Sequence, residues 1–292
     1  MNQQLLDAVA GDSLTRAAWQ RFRANRTAVA GLVMLGFIAL FAIAGSWISP
    51  HDMETNDWER IQIPPTFEQS HWFGTDANGR DLFVRVSAGA RISLAIGMLT
   101  TLVSVLIGVL YGAVAGFVGG KLDQFMMRIV DVLYALPLFF AIIVLVTIFG
   151  RNIFLVFIAI GAVEWLTIAR IVRGQTLSVK QMEFVEAARS LGAPQSRIIA
   201  RHVIPNVLGP VIVFSTLLIP TVILVESFLS FLGLGVQEPQ TSWGSLISQG
   251  AGAIDTSPWL LVIPAAFLAA TMFAFNFIGD GLRDALDPKD EG

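Results

Sequence analysis

The chain has 292 residues, of which 54% are hydrophobic and only 14% charged, and its mean hydropathy is +0.68. A soluble domain carries about 25% charged residues, so this composition excludes a single water-soluble core and points to a membrane protein. The absence of cysteine excludes disulfides, thiolate metal sites and cysteine nucleophiles, and a net charge of −3 says little about partners, because in a membrane protein the placement of Lys and Arg counts for more than their sum.

Residues 1–27 are polar and carry Arg16, Arg21, Arg23 and Arg26 beside the first apolar run, which predicts a cytoplasmic N-terminus. Residues 28–49 would form a helix about 33 Å long, enough to cross a bilayer. Ala42-Ile43-Ala44 has the small-residue pattern of a signal-peptidase site. The apolar run continues past it to Trp47 and Ile48, so an uncleaved span is expected.

Residues 50–90 make the longest polar connection. Pro64-Pro65 in an acidic stretch predicts an irregular, external loop. The turn-rich segment Phe73-Gly-Thr-Asp76-Ala-Asn78-Gly79-Arg80-Asp81 lacks the alternating acidic ligands and closing glutamate of a calcium loop, and no metal-ligating set is expected anywhere in the chain. From Asp81, Leu82, Phe83 and Val86 predict a helix along the interface that feeds a second span at about 92–118. In that span Gly108, Gly112, Gly116 and Gly120 recur every four residues and line one face, either for packing within the chain or for an interface in a transport core. Gly119-Gly120-Lys121 is not a phosphate loop, because Ala115 replaces its first glycine and Leu122 its Ser/Thr.

A short connection at 119–131 precedes a third span at 132–149, a tight turn at Arg151-Asn152 and a fourth span at 153–171. A polar elbow at 178–206 leads to a fifth span at 207–232. After an acidic loop without Lys or Arg comes a sixth span at 258–278, with a short surface helix marked by Leu282, Ala285 and Leu286. Six spans put both termini on one side. With that side cytoplasmic, fourteen Lys and Arg fall inside and five outside (Arg60, Arg80, Arg85, Arg91 and Arg151), the asymmetry expected of a correct topology. The fold class is therefore all-α and polytopic, with six transmembrane helices and a cytoplasmic helical elbow. Residues 1–90 form an N-terminal segment, first span and periplasmic loop, and 91–292 a five-helix core.

The elbow has its own local signals. Ser178 with Gln181 fits a capping box, and Gly192 is placed to end a helix in the left-handed conformation. Pro194 can open a second short helix, Pro205 stops it, and Asn206 can cap the next. Within this segment Glu186-Ala187-Ala188, then Gly192, then His202-x-Ile204-Pro205 resembles the coupling loop of ABC importer membrane subunits, although the pattern usually ends Ile-x-Leu-Pro. Arg201-His202-Val-Ile204-Pro205-Asn206, the Phe73–Asp81 segment, residues 233–244 and the ending Asn276-Phe-Ile-Gly279-Asp280 through Asp287-Pro288 resemble the oligopeptide/dipeptide permease family, its C subunits in particular.

The resemblance implies a permease subunit of an ATP-driven peptide importer in the bacterial inner membrane, forming half of the translocation pathway. Its implied partners are a homologous second permease, one or two ABC ATPase subunits, a periplasmic peptide-binding protein and lipid, with no nucleic acid. ATP and magnesium would be held by the ATPases, and this chain would be no enzyme. By the same resemblance the elbow docks on an ATPase, with Glu186 facing a basic residue there, Ala187 and Ala188 leaving room, Gly192 supplying the turn and Pro205 setting the angle into span five. Arg201 belongs to the same stretch, and His202 could add a polar contact. Dipeptide, oligopeptide, opine, glutathione and nickel importers share these features, so the cargo stays open.

Glu164 in span four, Glu226 in span five and Asn276 in span six are costly polar groups at membrane depth. They either line a pathway for cationic peptides or are protonated or hydrogen-bonded within the bundle. Trp243 is either a contact for the binding protein or an anchor at the headgroups. The rival class is a proton-coupled secondary transporter using Glu164 or Glu226. An intramembrane hydrolase would need a Ser or Asp pair at one depth and is disfavoured, because Asp131 has no evident catalytic partner and no Gly-x-Ser-x-Gly occurs.

Overall fold

The computed structural model describes residues 14–150 and 153–286. Its helices are α1 (Leu14–Ala24), α2 (Arg26–Ile48), α3 (Leu82–Val118), α4 (Gly120–Ala135), α5 (Leu138–Phe149), α6 (Ile153–Val179), α7 (Glu183–Ser190), α8 (Gln195–Ile198), α9 (Ile204–Phe231), α10 (Trp243–Ala251) and α11 (Trp259–Leu286). Five helical segments are long and apolar enough to cross a membrane, and α4 with α5 make a sixth if the bent pair is one span. The turn expected at Arg151-Asn152, together with Lys289 and Asp287-Pro288, lies outside the described residues.

The span boundaries differ from expectation in three places. The interfacial helix and second span are one continuous α3 of 37 residues, about 55 Å long. Asp81 caps it, its carboxylate accepting from the Val84 amide. The third span and its preceding connection are a broken pair, α4 and α5, bent by 81°. The break falls at Leu136-Pro137, where the proline disfavours helical backbone at the residue before it. The short surface helix expected near Leu282 is the last turn of α11.

Helix α3 is the centre of the bundle, packed on α6, α9 and α2, while α11 packs on α2, α9 and α10. The α3–α6 contact explains three of the four spaced glycines. A Cβ at Gly112 would lie 2.4 Å from the Ala169 carbonyl oxygen, and one at Gly108 2.6 Å from Ile168. Only a residue without a side chain permits that approach of two backbones. The stripe therefore packs within the chain; Gly120, with open space around it, begins α4 instead.

Asn25 caps α2 and also donates to Asp284 near the end of α11, which brings both ends of the described chain together. The same end of the bundle carries the elbow, where Lys180 and Arg189 each stand 5.7 Å from the Phe117 ring at the end of α3. The opposite end carries the connections 49–81 and 232–258.

Candidate functional site

The elbow is a helix, a turn and a shorter helix set on a buried apolar foot. Val185, Ile198 and Val203 are buried and join one core cluster with Phe117, Val179 and Val207, with Ala188 and Ala193 packed against it. At the turn Gly192 takes φ +77°, the Gly192 amide donates to the Arg189 carbonyl and the Ala193 amide to the Ala188 carbonyl. This paired closure is a Schellman motif with glycine in its left-handed position, as the sequence implied.

Two other local expectations fail. Ser178 caps nothing, because α6 continues through it to Val179; α7 starts instead after Met182, with no side-chain cap. Burial of Val179 outweighs the local capping preference. Nor does Pro205 stop a helix or Asn206 cap one. The chain runs from Gln195 to Phe231 as one helical segment through a π turn at Ile199–Val203. Proline has no amide proton and its ring crowds the carbonyl four residues back, so the wider turn before it accommodates both defects. The Asn206 side chain donates to the His202 carbonyl at 2.6 Å.

On this foot the expected coupling residues face outward. Glu186, Ala187, Gly192, Arg201 and Pro205 are exposed, while Ala188 and His202 are half-buried. Among the described residues Glu186 and Arg201 form no salt bridge. Leu191, next to the turn, is 88% exposed, and Met182 and Phe184 are also exposed. The His202 ring meets Phe184 with centroids 6.2 Å apart.

The three pathway candidates do not converge. Glu164 lies on the wall of two clefts, of about 520 and 720 Å3, formed where the α4–α5 break faces α6 and α9; Thr221 lies on both walls too. Among the described residues Glu164 forms no hydrogen bond or ion pair. Asn276 is exposed on α11 and lines neither cleft. Glu226 is wholly buried, accepting from Ser230 at 2.7 Å, Ser93 at 3.3 Å and Ser227 at 3.5 Å. It is hydrogen-bonded within the bundle, one of the two readings the sequence left open, and it lines neither of these two clefts.

Trp243 is corrected as well. It is fully buried, its ring N–H donating to the Val86 carbonyl at 3.2 Å and its amide to Ser93. The aromatic ring therefore offers no surface to a soluble partner or to headgroups.

Sequence reasoning missed a charged clasp between the two long connections. Asp76 accepts from the Arg80 side chain at 2.8 Å and pairs with Arg85, which also donates to Gln249 at 3.0 Å. Arg80 reaches across to Glu238 at 2.8 Å. That hydrogen bond holds the Glu238 carboxyl below the usual carboxylate range. The available signal was charge complementarity: three arginines lie in 80–91, and the 232–258 connection contains acids without Lys or Arg.

With this geometry in hand, comparisons with known proteins are direct. Residues 86–290 match the family described as binding-protein-dependent transport system inner membrane component, and residues 13–65 match the N-terminal TM domain of oligopeptide transport permease C. The oligopeptide transport system permease protein OppC of Escherichia coli is 58% identical over 282 residues, covering 97% of this chain and 93% of that protein. OppC of Haemophilus influenzae is 57% identical over 280 residues, covering 96% and 90%. The dipeptide transport system permease protein DppC of Bacillus subtilis is 46% identical over 278 residues, covering 95% and 86%. None of these findings supports a proton-coupled transporter. Together with the apolar helices they make this a multi-pass inner-membrane protein, and the chain belongs to the binding-protein-dependent inner-membrane components, the permease subunits of ABC importers.

Proposed function

We propose that this permease subunit serves a peptide importer and that its elbow is the lever by which an ATPase moves the bundle. The observation that carries the reading is mechanical. The outward face around Glu186, Ala187 and Leu191 stands on buried Val185, Ile198 and Val203, and the chain continues from α8 through the π turn into α9 as one unbroken helical segment. A displacement of the elbow is thereby delivered to α9, whose Thr221 lies on the cleft walls beside Glu164.

In this reading the elbow end is cytoplasmic, as the distribution of Lys and Arg favours. Glu186 and Arg201 supply unpaired charge to the partner, and exposed Leu191 with Gly192 fills a groove on it. ATP and magnesium are held by the ATPase subunits, a second, homologous permease completes the pathway, and an external binding protein selects the cargo. The names of the relatives favour oligopeptides. Glu164, without a partner of its own, provides an acidic wall for a cationic amino terminus.

The test is a pull-down of the solubilised chain with the cell's ATPase subunits, comparing wild type with Glu186→Lys and Gly192→Asp. Wild type should recover an ATPase and a second permease, and both variants should lose the ATPase while keeping the permease. Equal recovery by the variants would mean that the elbow is only a packed connection.

A further inference from the structure

At the end of the bundle opposite the elbow, His51, His71 and Asp81 come together from three separate stretches: the exit of α2, the middle of the 49–81 connection and the cap of α3. One ligand atom from each lies within 4.8 Å of the others. The two imidazole rings are stacked, with centroids 4.0 Å apart and planes 11° apart.

Hydrogen bonding assigns the tautomers. His71 Nδ1 stands 2.9 Å from the Asp81 carboxylate, so Nδ1 carries a proton, and in the neutral ring the lone pair is on Nε2. That Nε2 is buried and has no hydrogen-bond partner, in a residue only 2% exposed. His51 Nε2 stands 2.9 Å from the Gln69 carbonyl oxygen, so it too carries the proton, and the lone pair of His51 sits on Nδ1. Each ring therefore keeps one nitrogen able to bind a cation. A carboxylate that orients the far nitrogen of a ligating histidine is the usual support of a metal-bound imidazole. Asp81, itself fixed by capping α3, occupies that place.

The cluster opens on a cleft of about 230 Å3 that is also lined by Asp52 and Asp57. We propose that this is a binding site for one borderline divalent metal ion of the zinc type, with His71 Nε2 and His51 Nδ1 as nitrogen ligands, Asp81 as the orienting carboxylate and Asp52 with water completing the shell. Two imidazoles with carboxylate and water oxygens suit zinc better than calcium or magnesium, which take oxygen sets. Imidazole lone pairs lie in the ring planes, and two nearly parallel planes 11° apart do not bring theirs onto one ion, so binding requires His51 to turn. It is half-buried and held by a single side-chain hydrogen bond, whereas His71 is fixed. The bound ion would tie the exit of α2 to the start of α3.

The chain contains three histidines and no cysteine, which makes the assay clean. The full chain, purified on a histidine-free tag and stripped with chelator, is titrated with zinc against a fluorescent chelator, and X-ray absorption is recorded on the loaded protein. One zinc per chain is expected, with two imidazoles in the absorption spectrum. His51→Gln should weaken binding about tenfold or more, and His202→Gln should leave it unchanged. His51 is chosen over buried His71 so that the fold survives, which the helical circular dichroism signal checks. No saturable binding, binding by His51→Gln equal to wild type, or a spectrum without imidazole would overturn the proposal.

Discussion

Two polar regions of this chain look alike in composition and behave as opposites. In the clasp Asp76, Arg80 and Arg85 are buried and satisfy one another, with Glu238 and Gln249 reaching in from the second connection. Glu226 in α9 is closed off in the same way by serines. In the elbow Glu186 and Arg201 are exposed and have no ion pair among the described residues, while the apolar side chains beneath them are buried. A polar group that finds its partners inside the chain contributes architecture. One held out on a stiff frame without a partner is available to another protein.

The largest effect should come from opening the clasp. Asp76→Ala leaves two largely buried arginines sharing only the half-exposed Glu238 carboxylate, and breaking such a buried pair costs about 3–5 kcal/mol. Thermal unfolding of the solubilised protein should move markedly downward. An unchanged transition would mean that the clasp is no more than a surface ion pair. In the elbow the comparison predicts much less. Gly192→Ala meets nothing within 4 Å but must adopt φ +77°, a conformational strain of about 1 kcal/mol. Stability should fall only by that amount, whereas a loss comparable with Asp76→Ala would show that the elbow turn is part of the core.

The smallest effect concerns pH. The Glu238 carboxyl is held low by its hydrogen bond to Arg80, so its contribution is fully present above the ordinary glutamate range and is lost as pH falls through its depressed value. Glu238 is half-exposed, so solvent screens much of the gain. Wild type should melt slightly above Glu238→Gln at neutral pH, and the difference should vanish in acid. A difference that persists in acid would assign the stabilisation to packing.

Much of the architecture was readable because a bilayer admits few backbones. Hydropathy located all the long apolar helices, and Gly192 announced the elbow turn because only a left-handed residue closes that motif. Boundaries were less legible where a residue's cost depends on a distant partner. The interfacial helix expected from Asp81 and the second span are one helix, with Arg85 inside it beside Asp76 and Gln249, partners that lie 9 and 164 residues away in the chain. Pro205 argued for a stop, because a π turn that rescues a proline leaves no local signature. Among site residues, the outward set of the elbow came from its motif. The burial of Trp243, the closure of Glu226 and the isolation of Asn276 from the clefts depended on which helices pack together.

By itself the sequence determined the class of molecule, the place of the long apolar segments and of the elbow, and the family, since these follow from composition, period and short motifs carried on contiguous residues. Only the tertiary structure decided which polar groups are closed and which are open. Ser93 and Glu226, or Arg80 and Glu238, are more than 130 residues apart, and a hydrogen bond between such positions exists only after the helices have packed.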